Sequence, residues 1–169
     1  MLKAAVALLT LCAVAADQAV PSPKKETKHL TLTASATPEA AAPGTRISLA
    51  VDVAPKPKMH VYAPGQAGYI AITLTLDPDP AFTAGKAKYP APEKILIRIL
   101  NETQLVYAKP FRIAQDLTLA STPEIRKRAA GGGSMTIKGT VRYQACDDTI
   151  CYLPTNVPVT WTVKLKADG

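Results

Sequence analysis

The residues of this chain best suited to chemistry are two cysteines near its C-terminal end, Cys146 and Cys151, which are separated by four residues. Cys12, the only other cysteine, lies in an apolar N-terminal segment that we expect to be removed. The mature chain would then hold two thiols, which permit one disulfide bond. Such a bond can either brace a fold or exchange with the thiols of another protein.

The first residues predict export. Lys3 is followed by an uncharged, largely apolar stretch that ends in small residues just before Asp17. We interpret residues 1–16 as a secretory signal peptide. The stretch is shorter than the roughly 20 apolar residues that cross a bilayer, and no later segment is more apolar, so we expect no stable membrane insertion of the mature chain. The predicted location is periplasmic or secreted, where close cysteines form disulfides.

The length and net charge of the chain further limit the classes of protein to which it can belong. Removal of the signal peptide would leave about 153 of the 169 residues, enough for one domain with a substantial core. The formal net charge is +7, but the basic residues are scattered and no aromatic residues are interleaved with them as stacking platforms. We therefore expect a solvated basic surface and no nucleic-acid partner.

The apolar pattern predicts strands rather than helices. Residues 17–28 are mostly polar and predict a disordered leader. Residues 29–169 form the predicted domain, in which most of the candidate strands show apolar and polar residues that alternate with period two. The fifteen prolines would interrupt helices. The predicted strands are 29–33, 46–53, 70–76, 95–100, 104–107, 111–114, 135–143 and 157–165, with 95–100 covered on both faces and Trp161 in the core. Together they predict an all-β, two-sheet antiparallel sandwich.

The cysteines fall at the neck of a predicted hairpin. The strand at 135–145 delivers Cys146 to a turn, and Cys151 begins the return. Opposed residues in such a pair have Cα atoms about 4.5 Å apart, at the short end of the range that a disulfide accepts. Closing so small a loop stabilises a fold by only roughly 2 kcal/mol, which favours chemistry over bracing. Asp147 and Asp148 disfavour thiolates, so we expect a disulfide that is attacked by a partner's thiolate.

The cysteine segment resembles a known family. The runs Tyr143-Gln144-Ala145-Cys146 and Cys151-Tyr152-Leu153-Pro154 are similar to the redox hairpin in the N-terminal periplasmic domains of thiol:disulfide interchange proteins of the DsbD type, and Met59–Gly65 resembles an early stretch of those domains. The resemblance implies an immunoglobulin-like fold from about 28 to 166. It also implies that Cys146 and Cys151 are the catalytic redox pair of an electron relay, with a periplasmic thioredoxin-like partner and no metal or cofactor.

The chain also departs from this family. Four residues separate the cysteines, fewer than in some members, and Leu153 stands where a second proline is frequent. The family shields its disulfide with a cap loop that bears an aromatic residue, whereas the matching segment, residues 100–103, has none. Tyr107 or Phe111 could take its place only if the loop is arranged differently. No membrane or thioredoxin-like domain accompanies the sequence, so we expect a stand-alone domain.

Two alternatives stay open. The chain could be a non-catalytic β-sandwich that serves as a binding or assembly module and holds a structural disulfide. It could also bind copper through Cys146, Cys151, His60 and Met59. The sequence gives no reason for His60 to lie near the hairpin, and it assigns no role to His29.

Overall fold

The structure is a computed structural model that describes residues 23–97 and 101–167. In these two ranges the chain forms thirteen strands and one helix. The strands are β1 (Lys24–Glu26), β2 (Leu30–Thr37), β3 (Ala40–Ala41), β4 (Arg46–Pro55), β5 (His60–Tyr62), β6 (Thr73–Leu76), β7 (Phe82–Ala84), β8 (Glu93–Ile97), β9 (Glu102–Tyr107), β10 (Phe111–Leu119), β11 (Ser134–Tyr143), β12 (Ala145–Cys146) and β13 (Thr155–Leu165), and the helix is α1 (Pro123–Ala130).

Two larger sheets form the sandwich. The first has the order β1-β2-β4-β10-β7, and the second has the order β3-β13-β11-β6. All pairings are antiparallel except the short one between β13 and β3. Buried residues from both sheets belong to one apolar cluster, as expected when alternating side chains turn inward from each sheet. The predicted all-β antiparallel sandwich is confirmed.

Trp161 joins the two sheets at the centre of the core. It lies on β13, where every second residue from Val157 to Leu165 is buried, and it is 1% exposed. Its indole Nε1 donates a hydrogen bond of 2.9 Å to the backbone carbonyl oxygen of Ala50 on β4. The core role predicted for this tryptophan is therefore confirmed, and its polar atom is satisfied by the opposite sheet.

A third, smaller sheet carries the cysteines. Its order is β12-β5-β9-β8, and its last strand lies at the edge. The prediction that residues 95–100 are covered on both faces is wrong for the part of β8 that the structure describes, since its burial alternates and Leu96 is 58% exposed. An edge strand of a small sheet has one face in solvent, which explains the difference.

The N-terminal leader is also partly different from the prediction. Lys24–Glu26 forms β1, which pairs antiparallel with β2, although its side chains are exposed. Backbone hydrogen bonds along the edge of the first sheet order these polar residues without an apolar contribution. The disordered leader predicted for 17–28 is thus wrong for this strand, whereas the signal peptide and residues 17–22 lie outside the described residues.

Helix α1 was not predicted by the sequence pattern. Thr122 caps its N-terminus, because the side-chain oxygen accepts a hydrogen bond of 3.3 Å from the backbone nitrogen of Ile125, and Pro123 occupies the first turn. These capping signals were available in the sequence, but a helix of eight residues is too short for a clear apolar period. No helix in the described ranges is long and apolar enough to cross a membrane.

Candidate redox site

The cysteines are brought together by a change of partner between strands. β11 ends at Tyr143, and β12 leaves the second sheet to pair with β5 of the third. Cys146 and Cys151 then face each other as an antiparallel bridge. Their sulfur atoms are joined by a disulfide bond, and their Cα atoms are 4.0 Å apart. The close, opposed geometry expected from the hairpin is therefore present.

Asp147 fixes the turn between the two cysteines. Its Oδ1 accepts hydrogen bonds from the backbone nitrogens of Thr149 and Ile150, at 2.7 and 2.8 Å, and its Oδ2 accepts one of 2.7 Å from the Tyr152 hydroxyl. The backbone N–H of Ile150 and these other donors lower the pKa of Asp147. The sequence suggested only that this carboxylate disfavours a nearby thiolate. In the structure it also accepts the hydrogen bonds that hold the turn.

The two cysteines differ in exposure. Cys146 is 2% exposed and packs with Tyr62 and Val106, whereas Cys151 is an exposed residue. Beside Cys151, Ile150 and Leu153 are 52% and 86% exposed. A thiolate from another molecule would therefore meet Cys151, and the sulfur that it displaces would be the buried one.

The hydroxyl group of Tyr62 contacts both sulfur atoms. It lies on β5, and its oxygen is 3.3 Å from Cys146 Sγ and 3.4 Å from Cys151 Sγ. A disulfide sulfur carries no proton, so the phenol is the donor in both contacts. The hydroxyl is thus positioned to donate to whichever sulfur gains negative charge when the bond breaks.

A second tyrosine and its polar partners support Tyr62. The ring of Tyr69 stacks on that of Tyr62 with centroids 4.2 Å apart. The Tyr69 hydroxyl accepts from Gln104 Nε2 at 3.0 Å and donates to a Glu102 oxygen at 3.5 Å. Burial, followed by the nearby Tyr69 and Glu102, raises the pKa of Tyr62 to about 12. The phenol therefore keeps its proton throughout the neutral pH range.

The aromatic shield differs from the expected one. Tyr107 and Phe111 stack on each other with centroids 4.0 Å apart, and the Tyr107 hydroxyl donates to the carbonyl oxygen of Pro90. The aromatic ring beside the sulfurs comes instead from Tyr62. The sequence offered one signal for it, since Tyr62 lies in the segment Met59–Gly65 that resembles the family. Residues 98–100 lie outside the described residues.

His60 lies beside the hairpin, which the sequence did not foresee. It is the register partner of Cys146 in the pairing of β12 with β5. It is 9% exposed, and its Nε2 atom is buried with no hydrogen-bond partner among the described residues. In the disulfide state neither sulfur is a thiolate, so the pair offers no thiolate ligand to the copper site considered from sequence.

His29 also contacts the hairpin. Its ring lies 4.4 Å from that of Tyr152, and its Nδ1 is 3.4 Å from the Tyr143 hydroxyl, which also bonds to Thr27 Oγ1 at 2.9 Å. Burial and the neighbouring Lys28 lower the pKa of His29. The N-terminal edge of the sandwich therefore packs against the return of the cysteine hairpin.

Both the sequence and the fold of the chain resemble those of known proteins. The family model described as "Thiol:disulfide interchange protein DsbD, N-terminal" matches residues 16–162. No curated protein sequence matches the chain. Among solved structures, the N-terminal periplasmic domain of ScsB from Proteus mirabilis aligns with a TM-score of 0.54 and 12% identity over 80% of this chain and 47% of that one. The yeast GGA1 GAE domain aligns with a TM-score of 0.40 and 11% identity, over 83% and 95%.

The ScsB likeness concerns the fold. At 12% identity it supports the β-sandwich architecture, and the chain spans about half the length of that solved chain. The family match is broader evidence, since it covers most of the sequence and includes both Cys146 and Cys151.

Proposed function

Since the chain belongs to the family of the N-terminal domain of thiol:disulfide interchange protein DsbD, we propose that Cys146 and Cys151 are a redox pair that exchanges disulfide bonds with a thioredoxin-like protein in the periplasm. The observation that carries the proposal is the unequal exposure of two bonded cysteines whose sulfurs share one hydroxyl donor. A disulfide that only braces a fold does not need an exposed sulfur or a donor for a thiolate.

In the first step, a thiolate of the reduced partner attacks Sγ of Cys151, the exposed cysteine. A bond forms between the partner sulfur and Cys151, the Cys146–Cys151 bond breaks, and its electron pair leaves on Cys146 Sγ. The Tyr62 hydroxyl, 3.3 Å away, donates to the new thiolate. A hydrogen bond to a charged group stabilises it by about 1.5–3 kcal/mol, which favours departure of this sulfur.

In the second step, the second thiolate of the partner attacks the partner sulfur that is bonded to Cys151. This attack forms the partner's disulfide and releases Cys151 as a thiolate. The partner leaves as a disulfide, and this chain holds the two electrons on Cys146 and Cys151, which are no longer bonded to each other, with two protons taken up in total. The same steps in reverse pass the electrons to an oxidised partner. The exposed apolar side chains of Ile150 and Leu153, which flank Cys151, give such a partner a surface to cover during exchange.

The test traps the mixed disulfide with thioredoxin as a model partner. Cys146→Ser leaves the exposed Cys151 thiol without its resolving cysteine. The thioredoxin used likewise has its resolving cysteine replaced by serine, and its attacking cysteine is held as a mixed disulfide with thionitrobenzoate. Attack by the Cys151 thiolate then releases thionitrobenzoate and should leave a stable mixed disulfide with thioredoxin. Cys151→Ser is the matched control, and its buried Cys146 thiol should form far less of the adduct. Non-reducing gels and intact mass measure both.

The alternative of a structural disulfide predicts a different outcome. Neither variant would then form the adduct, and the wild-type bond would resist reduced thioredoxin under native conditions. That combination would refute the relay.

A further inference from the structure

His60 is a buried titratable residue that pairs across the sheet with Cys146, the cysteine whose sulfur leaves during exchange. In the antiparallel pairing of β5 with β12 it lies directly opposite Cys146. Opposed residues in such a pair project their side chains to the same face of the sheet, as do residues two apart on one strand. His60, Tyr62 and Cys146 therefore share one face, and the His60 ring meets that of Tyr62 edge to face at 5.8 Å.

The Nε2 atom of His60 has no protein partner in the oxidised state. It is fully shielded, and no hydrogen-bonding group lies within reach of it among the described residues. A buried polar atom without a partner loses its hydrogen bonds to water and gains none in return, so such atoms are rare without a functional reason. An imidazole nitrogen that has no donor in one redox state is free to take up a proton in the other.

The charges around His60 are few. Burial has the largest effect on the pKa of His60 and lowers it below the usual value, while the carboxylates of Asp148 and Asp147, on the hairpin turn, raise it by less. On β9, at the other side of β5, the titratable groups are Tyr107 and Glu102, and each is engaged with a polar partner. On its own strand Tyr62 stays neutral. In the oxidised protein the imidazole is therefore neutral near pH 7.

We propose that His60 is the proton-accepting partner of Cys146, and that it holds the departing sulfur as a thiolate–imidazolium pair. The partner's thiol first gives up its proton to water and becomes a thiolate. As this thiolate bonds to Cys151, the electron pair of the broken bond leaves on Cys146. His60 then takes up one proton at Nε2, which balances the proton that the partner released. A buried thiolate alone would be strongly disfavoured by desolvation, and an adjacent cation offsets that cost. In the second step Cys151 leaves as a thiolate and takes its proton from water.

This inference rests on the proposed function and gives it a proton-coupled step. Coupling between two sites is reciprocal, so a thiolate that favours protonated His60 is itself favoured by it. Reduction should therefore raise the pKa of His60, and removal of the imidazole should raise the pKa of the Cys146 thiol. A histidine that only fills space would shift neither value.

The experiment follows the histidine ring signals of the full chain by NMR between pH 5 and 9, in the oxidised and the dithiothreitol-reduced states. The chain has two histidines, so a His29→Gln variant assigns His60 and serves as the matched control. We expect the proton affinity of His60 to rise at least about tenfold on reduction, one pKa unit. Unchanged titration of His60 in the two states overturns the inference.

Thiolate absorbance at 240 nm gives the second readout. In reduced His60→Gln we expect the pKa of the Cys146 thiol to lie at least about one unit above that of the wild type, again tenfold, and His29→Gln should leave it unchanged. Equal thiol pKa values in His60→Gln and wild type contradict the inference. If His60→Gln does not fold, the wild-type titration decides alone. If the pKa values of His60 and of the thiol do not shift but Cys146→Ser still traps thioredoxin, only the role of His60 is overturned. If the trapping itself fails, the proposed function is overturned.

Discussion

Replacement of Tyr62 by phenylalanine tests the site most directly. Tyr62→Phe removes one oxygen atom, which lies 3.3 Å from Cys146 Sγ and 3.4 Å from Cys151 Sγ, and it keeps the ring that stacks on Tyr69. The fold should therefore persist while the thiolate loses its donor. Tyr107→Phe is the matched control, because it removes a buried hydroxyl whose partner is the Pro90 carbonyl oxygen.

The expected size follows from the value of a hydrogen bond to a charged group. Loss of about 1.5–3 kcal/mol of thiolate stabilisation raises the pKa of the Cys146 thiol by about 1–2 units, since one unit is about 1.4 kcal/mol. If roughly half of the charge has developed in the transition state, the barrier rises by about 0.7–1.5 kcal/mol. Attack on Cys151 should then slow by about three- to tenfold.

Two measurements check this prediction. Absorbance at 240 nm across a pH titration gives the thiol pKa of the reduced protein, and quenched alkylation with mass detection gives the rate of reduction by dithiothreitol. Because the pKa of Tyr62 is about 12, the wild-type phenol stays protonated during the titration. A Tyr62→Phe protein whose thiol pKa and reduction rate match those of Tyr107→Phe would refute the role given to this hydroxyl.

Three further predictions concern the turn and the scaffold. Asp147→Ala removes the acceptor of three hydrogen bonds in the turn, so glutathione should reduce the bridge more readily than in Asp148→Ala, as redox titration would show. Gly139→Ala should lower the unfolding free energy in urea by about 1–3 kcal/mol, because a β-carbon would lie 2.7 Å from a backbone oxygen of β6, whereas Gly85→Ala, with 3.4 Å, should cost less. Hydrogen bonds from Lys88, Arg46 and Ser48 lower the pKa of Asp116 to about 2. The ionised carboxylate therefore stabilises the fold at pH values above its pKa in the unfolded chain, and this contribution is lost as the pH falls toward 2. Asp116→Asn should remove the contribution and make the melting temperature depend less on pH on the acid side.

Much of the scaffold could be predicted from the chain because its signals are local. Alternation in β11 and β13 has period two, and the buried residues are the apolar ones of that pattern. The structure confirms Trp161 as a core residue for the same reason. Helix α1 and strand β1 escaped prediction, because a short helix depends on capping and an exposed strand on backbone pairing rather than on an apolar period.

The site was only half predictable. The sequence identified Cys146 and Cys151 and brought them face to face, because a hairpin neck is decided by a few neighbouring residues. It did not indicate which sulfur is buried, nor that Asp147 would cap the turn instead of repelling a thiolate. It also did not indicate that the aromatic residue beside the sulfurs would be Tyr62.

The sequence by itself therefore determined the disulfide and the strands that lead to it. Only the tertiary structure decided what surrounds the sulfurs, because the pairing of β12 with β5 joins segments that are 84 residues apart at the Tyr62–Cys146 contact. A shift of one residue in that pairing would turn Tyr62 and His60 to the other face of the sheet. The register of this pairing depends on packing across the whole domain, and no local sequence pattern carries that information. The register gives the cysteine pair its hydroxyl donor and its buried imidazole.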